Sequence, residues 1–379
     1  MLFQEIIGQE ATKDFLRHSF LQGRTPHAQM LIGGASGGAL PLAMAFAQWV
    51  MCGNRTETES CGKCANCLKI SHMEHPDLHF IFPVNDAKAS SADKPTSDKY
   101  ITQWRDIIAI TGGYFDRQDW YKKIEIENKQ GIIRREEAAE ILRKMSLKSY
   151  EGGYKIVIIW LPETMQDGAA NALLKLIEEP APGTLFLLVS EDSSLVINTI
   201  RSRAQQIIVP KLETTIMAAE LSQRFGCQAV QAMEIAHSSD GHWAQAMKIA
   251  QGSQLMDNYT LFTELMRMAY QNNFLKLFDW AEGMAAIGRE AQRNFCLESI
   301  AMLRDCYLIG IGLPQLSYIG GAKLDFGKKF APFVNHKTVE PFVEEFERLS
   351  AELRQNGNPK ILFSHFAMTL CKIFASAKK

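Results

Sequence analysis

Short runs of apolar residues alternate with helical segments over the amino-terminal part of the chain. Three short runs predict buried strands, at residues 28–32, 155–160 and 185–190, and the second and third are rich in β-branched residues or leucine. Helical segments precede, separate and follow the second and third of these runs. Buried strands that alternate with helices indicate a parallel sheet covered by helices on both faces. The pattern therefore predicts an α/β fold for this part.

Two helices are predicted around the first strand. Residues 4–22 carry apolar positions at helical spacing, and residues 40–52 are almost wholly apolar. Pro41 suits the first turn of the second helix, because the amide that proline lacks has no partner there. From about Glu213 onward, helical periodicity replaces the strand pattern. The carboxy-terminal part is therefore predicted to be all-helical.

The length and charge of the chain limit what it can do alone. With 379 residues and 42.6 kDa, it is long enough for two or three domains that each bury a core. Its 41 Lys and Arg nearly balance 42 Asp and Glu, for a formal net charge of −1. A protein that holds DNA mainly by neutralising phosphates carries a clear cationic surplus. We therefore expect any DNA contact to be local or shared with partners.

The first residues and the uncharged stretch 28–51 bear on targeting to a membrane. The first residues lack the basic and apolar pattern of a secretory signal, which favours a cytoplasmic protein. Residues 28–51 contain no charged side chain and are long enough to cross a bilayer. The glycines and Pro41 in their middle suit a strand, a loop and a helix better than one lipid-facing helix. No membrane partner is therefore expected.

A glycine-rich loop joins the first strand to the helix after it. The glycines of the loop have the spacing of a phosphate-binding P-loop; they are Gly33, Gly34, Gly37 and Gly38. Ala39 and Leu40 stand where such a loop needs a lysine for the phosphates and a hydroxyl for Mg²⁺. The glycines alone fit a structural turn and a nucleotide site equally well. With both functional side chains replaced, we expect neither ATP binding nor hydrolysis.

The end of the second strand supports this expectation. Trp160 and Leu161 follow the run of branched residues, where an ATPase places an acidic pair for magnesium and water activation. An indole and an isobutyl group cannot fill those roles.

Four of the eight cysteines lie close together. They are Cys52, Cys61, Cys64 and Cys67. The glycines and polar residues between them allow the chain to wrap a tetrahedral ion, and four thiolates leave no open position for a substrate. The pattern therefore predicts a structural zinc. Disulfides are one alternative, and His72 or His75 in place of one cysteine is another.

Residues 85–130 are interpreted as an insertion. The first part is polar, rich in Ala, Ser, Asp and Lys, and is expected to be mobile. The second part carries several aromatic residues. The insertion adds a surface to which the sequence assigns no role.

Four short motifs are specific enough to indicate a family. They are Asn-Ala-Leu-Leu-Lys-Leu-Ile-Glu-Glu-Pro at 171–180, Thr-Ile-Arg-Ser-Arg at 199–203, Gly8-Gln9 and Pro26-His27-Ala28. Together they make the chain similar to the bacterial clamp-loader AAA+ family of DNA polymerase III. The motifs cover about residues 1–250, and the helical remainder resembles the family only by position and type.

This resemblance implies a non-hydrolysing subunit, because the clamp-loader subunits that hydrolyse ATP keep the P-loop lysine and the acidic pair. Ala244 agrees, since it stands where motor subunits carry a nucleotide-sensing arginine. Arg203 is then expected to act in trans as an arginine finger on the γ-phosphate of a neighbouring subunit. Ala204 replaces the cysteine that usually follows this arginine.

Two other functions are less consistent with the sequence. An active ATPase motor subunit needs Lys and Ser or Thr at positions 39 and 40 and acidic residues at 160 and 161, and none of these is present. A zinc-containing DNA-binding repair protein needs a basic zinc region, but the charges among residues 52–67 cancel.

The resemblance also implies an architecture and a set of partners. We expect an AAA+ parallel-sheet domain with a zinc insertion over residues 1–211, a helical lid over 212–272 and an all-α collar domain over 273–379 that oligomerises. The implied partners are the ATPase motor subunits and the delta subunit in a hetero-oligomeric ring. The sliding clamp and primer-template DNA would be reached through that complex.

Overall fold

The structure is a computed structural model that describes residues 1–33, 37–85, 95–126, 129–150, 153–251, 258–317, 319, 321–355 and 357–377. The chain divides into two compact units, Met1–Ala250 and Gln251–Lys379. Residues 86–94, which hold most of the segment expected to be mobile, lie outside the described residues. Within the described ranges, no helix is both long enough and apolar enough to cross a membrane.

The first unit contains a five-stranded sheet and its covering helices. The strands are β1 (Ala28–Ile32), β2 (Leu78–Ile81), β3 (Lys155–Trp160), β4 (Thr184–Ser190) and β5 (Gln205–Ile208). The helices are α1 (Glu10–Leu21), α2 (Ala39–Met51), α3 (Ala65–Ser71), α4 (Ile101–Thr111), α5 (Arg117–Lys123), α6 (Arg135–Ser146), α7 (Asp167–Glu178), α8 (Asn198–Arg201), α9 (Thr214–Phe225), α10 (Ala229–Ser238) and α11 (Trp243–Ala250).

All strand pairs in this sheet are parallel, in the order β2-β3-β4-β1-β5. Alternate residues of a strand face opposite sides. In β3, Ile156 and Ile158 pack with α2 and α4, whereas Val157 and Ile159 pack with α6 and α7. The predicted parallel sheet with helices on both faces is confirmed.

The strand predictions agree with the structure where the residues are apolar. The predicted strands 28–32 and 155–160 match β1 and β3, and β4 begins one residue before the prediction. The sequence pattern missed β2, which His79 interrupts, and β5, an edge strand in which only Ile207 is buried.

The predicted helix over residues 4–22 is wrong at its start. A short 3₁₀ helix covers Phe3–Glu5, and α1 begins only at Glu10. Gly8 and Gln9 separate the two, because both have positive φ, of 58° and 64°, which an α-helix cannot include.

Helices α9 to α11 form a small bundle at the end of the first unit. Trp243 is fully buried there and packs with Met217, Leu221 and Ile235. Tyr114 and Ile7 join the same cluster, so the bundle packs directly on the rest of the unit.

The second unit is all-helical. Its helices are α12 (Asn258–Tyr270), α13 (Phe274–Ala286), α14 (Arg289–Gly310), α15 (Gly321–Phe330), α16 (Val339–Arg354) and α17 (Pro359–Ala377). Phenylalanines dominate its core, with Phe262, Phe295 and Phe346 fully buried. Because Phe262 belongs to α12, this helix packs with the second unit. The division into domains at residues 211 and 272 stays a prediction.

Candidate functional site

The glycine loop begins at Gly33 after β1 and leads to Ala39, the first residue of α2. A Cβ on Gly33 would lie 2.6 Å from the carbonyl oxygen of Val209, and a Cβ on Gly37 would lie 2.6 Å from that of Pro210. Gly38 has φ +80°, and a Cβ there would lie 2.8 Å from the ring of Tyr114. Close packing therefore requires glycine at these three positions. Gly34 lies outside the described residues.

The Gly8-Gln9 motif holds this loop in place. The Gln9 Nε2 donates hydrogen bonds to the carbonyl oxygens of Gly37, at 3.0 Å, and Pro210, at 2.6 Å. One side chain therefore ties the glycine loop to the segment after β5.

The cavity beside the glycine loop is almost filled. It lies at the carboxyl ends of β1 and β4, where the order of the strands reverses and open α/β sheets bind their ligands. Its volume is about 10 Å³, no more than a single water needs. Its lining includes Gly33, Ala39, Phe115, Trp160 and Glu191. Phe115 and Trp160 pack with ring centroids 5.2 Å apart, so the cavity is occupied by aromatic side chains of the chain itself.

The four cysteines come together as the sequence predicts. Cys52 follows α2, Cys64 caps the amino end of α3, and Cys67 lies in α3. All four sulfurs lie within 4.8 Å of one another, and the pairs Cys52–Cys64 and Cys61–Cys67 are each 3.9 Å apart. Zn–S bonds of about 2.3 Å in a tetrahedron place sulfurs about 3.8 Å apart. These distances are too long for a disulfide, and the four cysteines can hold a metal ion.

Backbone amides stabilise thiolates in this cluster. The Cys64 N–H donates to the Cys61 Sγ, and the Cys61 N–H donates to the Cys52 Sγ, each at 3.3 Å. Hydrogen bonds from the amides of Lys63 and Cys64 lower the pKa of the Cys61 thiol to about 6. Burial raises the pKa of the Cys52 and Cys67 thiols. The thiolate is the form of cysteine that binds a metal. The amides therefore favour the metal-binding form of Cys61.

The alternative histidine ligands are not in the cluster. Among the described residues, the group of potential metal ligands consists of the four cysteines. His75 is buried, and its Nδ1 accepts a hydrogen bond of 3.1 Å from the Asp77 N–H.

Arg203 lies between α8 and β5, and its side chain is 37% exposed. Its Nη2 lies 2.5 Å from the Glu178 Oε1, and its Nη1 donates a hydrogen bond of 2.8 Å to the Thr199 carbonyl oxygen. Glu178 is the last residue of α7 and part of the motif at 171–180. The structure therefore joins the two motifs, which are distant in sequence, through one ion pair.

The chain matches a known protein family. Residues 8–213 match the family model described as "DNA polymerase III, delta subunit". This match covers more than half of the chain. The chain belongs to this family.

Curated relatives agree with the family. The "DNA polymerase III subunit delta'" of Yersinia pestis is 27% identical over 203 residues, which are 53% of this chain and 44% of the relative. The protein of the same name from Pseudomonas aeruginosa is 29% identical over 194 residues, 51% of this chain and 46% of the relative. The chain spans about half the length of the curated relatives it matches.

One solved structure matches nearly end to end. A DNA polymerase III gamma-subunit-related protein from Thermotoga maritima covers 98% of this chain and 99% of its own, at 13% identity and a TM-score of 0.39. A likeness at that score carries no argument about function.

An ion-pair network at the same edge of the sheet was missed by sequence analysis. The Arg117 Nη2 lies 2.9 Å from the Glu191 Oε2 and 3.4 Å from the Glu163 Oε1. Glu163 also accepts hydrogen bonds from the Ser190 hydroxyl at 3.0 Å and the Glu191 N–H at 3.1 Å. Burial raises the pKa of the Glu163 carboxyl, and the nearby Arg117 guanidinium opposes this effect. Glu191 directly follows β4, and that position was the one available signal in the sequence.

Ala244 lies on α11 and is buried, next to the fully buried Trp243. A methyl group at this position offers no charge to a phosphate.

Proposed function

We propose that the chain is the non-hydrolysing, delta-prime-type subunit of the DNA polymerase III clamp loader. It would complete a ring with ATPase motor subunits and delta, and assist ATP-driven loading of the sliding clamp on primer-template DNA. The observation that carries this proposal is the filled cavity at the glycine loop in a chain that belongs to the family.

Three properties of that cavity favour a partner role over a motor role. Ala39 and Leu40 offer neither a cation for phosphates nor a hydroxyl for Mg²⁺. Trp160 and Leu161 are buried apolar side chains at the position of the acidic pair. The remaining volume of about 10 Å³ is far below the roughly 300–1,000 Å³ of typical small-molecule sites.

The four clustered cysteines would hold a structural zinc. Four thiolates close the coordination sphere, so the ion would support folding and bind no substrate. The segment from Cys52 to α3 has few elements of regular structure, and a metal would fix it where packing is sparse.

Arg203 would act as an arginine finger on a neighbouring subunit. Its ion pair with Glu178 is partly exposed, and such pairs contribute about 0–1 kcal/mol, so a γ-phosphate can displace the carboxylate. The planar guanidinium would then stabilise the charge that develops on the transferred phosphoryl group.

The second unit would form the collar of the ring. On α13, Leu275 and Phe278 are exposed, and on α17, Ile361 and Met368 are exposed. The ion pair of Lys360 with Glu282, at 2.8 Å, places these two helices side by side. Apolar residues exposed on adjacent helices suit contacts with other subunits.

Co-expression with candidate motor subunits and delta tests this function. We expect a stable hetero-oligomer that contains this chain, resolved by size-exclusion chromatography with light scattering. A chain that stays monomeric, although the other subunits assemble among themselves, would contradict the proposal. The variants Leu275→Asp and Phe278→Asp test the proposed contact surface in the same experiment. They should weaken assembly without unfolding the chain.

A further inference from the structure

Residues 112–124, named here the plug segment, lie within the insertion to which the sequence assigns no role. Gly112 and Gly113 open the segment after α4, both with positive φ, of 63° and 81°. Two successive left-handed residues reverse the chain so that it returns toward the glycine loop. A Cβ on Gly113 would lie 3.4 Å from Pro41, so the turn packs directly on the start of α2.

The first side chains of the plug segment fill the space around the glycine loop. Tyr114 packs against Gly38, and its hydroxyl accepts a hydrogen bond of 3.0 Å from the Ile7 N–H. Phe115 lines the cavity beside Trp160. Both side chains are almost fully buried, so they act as core residues.

Arg117 joins the plug segment to the sheet through two ion pairs. Its guanidinium lies between the carboxylates of Glu163 and Glu191, which follow β3 and β4. Removal of the guanidinium would leave two carboxylates close together and partly buried, which is strongly unfavourable. The segment therefore neutralises the acidic end of the sheet.

The opposite side of the plug segment contacts the helical bundle α9–α11. The Lys248 Nζ lies 3.0 Å from the Asp116 Oδ2 and 2.7 Å from the Asp119 Oδ1. Asp116 and Asp119 also cap the start of α5 reciprocally, which fixes their positions. The Tyr114 and Trp243 rings meet edge to face, with centroids 6.4 Å apart. Ionic and aromatic contacts thus join the segment to α11.

We propose that the plug segment is a built-in ligand of the glycine-loop cavity, which holds the bundle α9–α11 on the sheet. It lines the cavity with Phe115, packs on Gly38 with Tyr114, pairs with the sheet through Arg117 and pairs with the bundle through its two aspartates. The orientation of the bundle then depends on this segment and needs no bound nucleotide. This role is independent of assembly into a clamp loader.

Hydrogen–deuterium exchange read by mass spectrometry tests the proposal on the full chain. In Lys248→Met, which keeps the length of the side chain, we expect amides in α9–α11 and in residues 37–44 to exchange about tenfold faster or more. Amides in β3 and β4 should exchange as in the wild type. Lys248→Arg keeps both ion pairs and should restore slow exchange. Lys360→Met removes an exposed ion pair in the second unit and is the matched control.

Arg117→Gln is the second test variant. It removes the ion pairs between the plug segment and the sheet, and it leaves the contacts of the plug segment with α11 in place. Faster exchange that reaches α9–α11 in this variant supports the proposal. Faster exchange confined to residues 114–123, or exchange in α9–α11 within about twofold of the wild type in both variants, would overturn it. If Arg117→Gln does not fold, the comparison of Lys248→Met with Lys248→Arg decides alone.

Discussion

At the scale of single residues, Gln29 stands out in the sheet. It is the second residue of β1, with 0% exposure, and neither polar atom of its amide has a hydrogen-bond partner among the described residues. A buried polar group without a partner costs about 1–3 kcal/mol. We expect Gln29→Met to raise the free energy of unfolding by about 1–2 kcal/mol, since it keeps the side-chain length and removes the amide.

Urea unfolding followed by tryptophan fluorescence checks this prediction. Gln206→Met is the control, because Gln206 is exposed on β5 and the same change there should leave stability within about 0.5 kcal/mol. A loss of stability in Gln29→Met would mean that the amide is satisfied in the protein.

Glu137 gives a prediction about pH. It is buried on α6, and its Oε2 accepts a hydrogen bond of 2.7 Å from the Ser97 N–H. Burial raises the pKa of the Glu137 carboxyl to about 7, and the Ser97 hydrogen bonds only partly offset this effect. Because the folded state binds this proton more tightly than the unfolded state, stability falls as pH rises from about 4.5 to about 7.

Glu137→Gln removes this titration and keeps an oxygen that can accept from Ser97. We expect the variant to gain stability relative to the wild type as pH rises through that range, by up to about 1.4 kcal/mol per pH unit. Urea unfolding at about pH 5 and about pH 8 measures the change. Glu213→Gln, the same substitution at an exposed position, is the control. Parallel pH profiles of the wild type and Glu137→Gln would contradict the prediction.

At the scale of elements, the cysteine cluster leads to a prediction about metal. We expect about one zinc per chain, because four thiolates within 4.8 Å match one tetrahedral ion. Cys64→Ser should lose most of this metal and lower the stability of the segment around α3. Cys227 lies outside the cluster, so Cys227→Ser should keep the zinc. Elemental analysis of purified protein gives the ratio, and a wild-type chain without zinc, or with a disulfide among these cysteines, would refute the prediction.

How well an element could be predicted depended on how locally it is determined. The cysteine cluster, β1 and β3 follow from residues close together in sequence, and the structure places them as expected. The apolar spacing alone predicted a helix from residue 4. Gly8 and Gln9 have left-handed backbone conformations, so α1 begins only at Glu10. Strand β5 was missed because an edge strand needs few buried side chains, and two exposed glutamines open it.

The ion pairs of Arg117 could not be predicted for another reason. Its two acidic partners lie 46 and 74 positions away in sequence, and only the sheet topology brings them together. The same is true of Arg203 and Glu178, which belong to different motifs. The sequence motifs contain Arg203 and Glu178, but the pairing of these residues depends on the fold.

At the scale of the whole molecule, the chain alone is expected to hydrolyse no ATP. Ala39→Lys should not create activity, because Trp160 and Leu161 still provide no ligand for magnesium and the aromatic side chains still fill the cavity. Steady-state phosphate release by chain purified away from motor subunits measures this. Turnover above the background of a mock purification would contradict the non-hydrolysing role.

The last prediction concerns Arg203 in the assembled complex. If it stabilises the transition state on a neighbouring subunit, Arg203→Ala should leave this chain folded and able to assemble, and should lower ATP hydrolysis by the complex. A finger in trans is worth about a thousandfold or more at its own site, but other motor sites would continue, so the total loss should be partial. Arg203→Lys should rescue poorly, because an ammonium lacks the planar fork that bridges two phosphate oxygens.

Arg201 provides the matched control for this experiment. It lies two positions away and donates hydrogen bonds to the Ser193 carbonyl oxygen and the Asn198 Oδ1 within its own chain. Arg201→Ala should therefore disturb local structure without a selective loss of hydrolysis. The measurements are assembly by size, DNA- and clamp-stimulated hydrolysis, and clamp loading. If Arg203→Ala assembles and leaves hydrolysis and loading unchanged, the arginine-finger role is wrong. Arg203 then has only the ion pair with Glu178 that is present in the isolated chain.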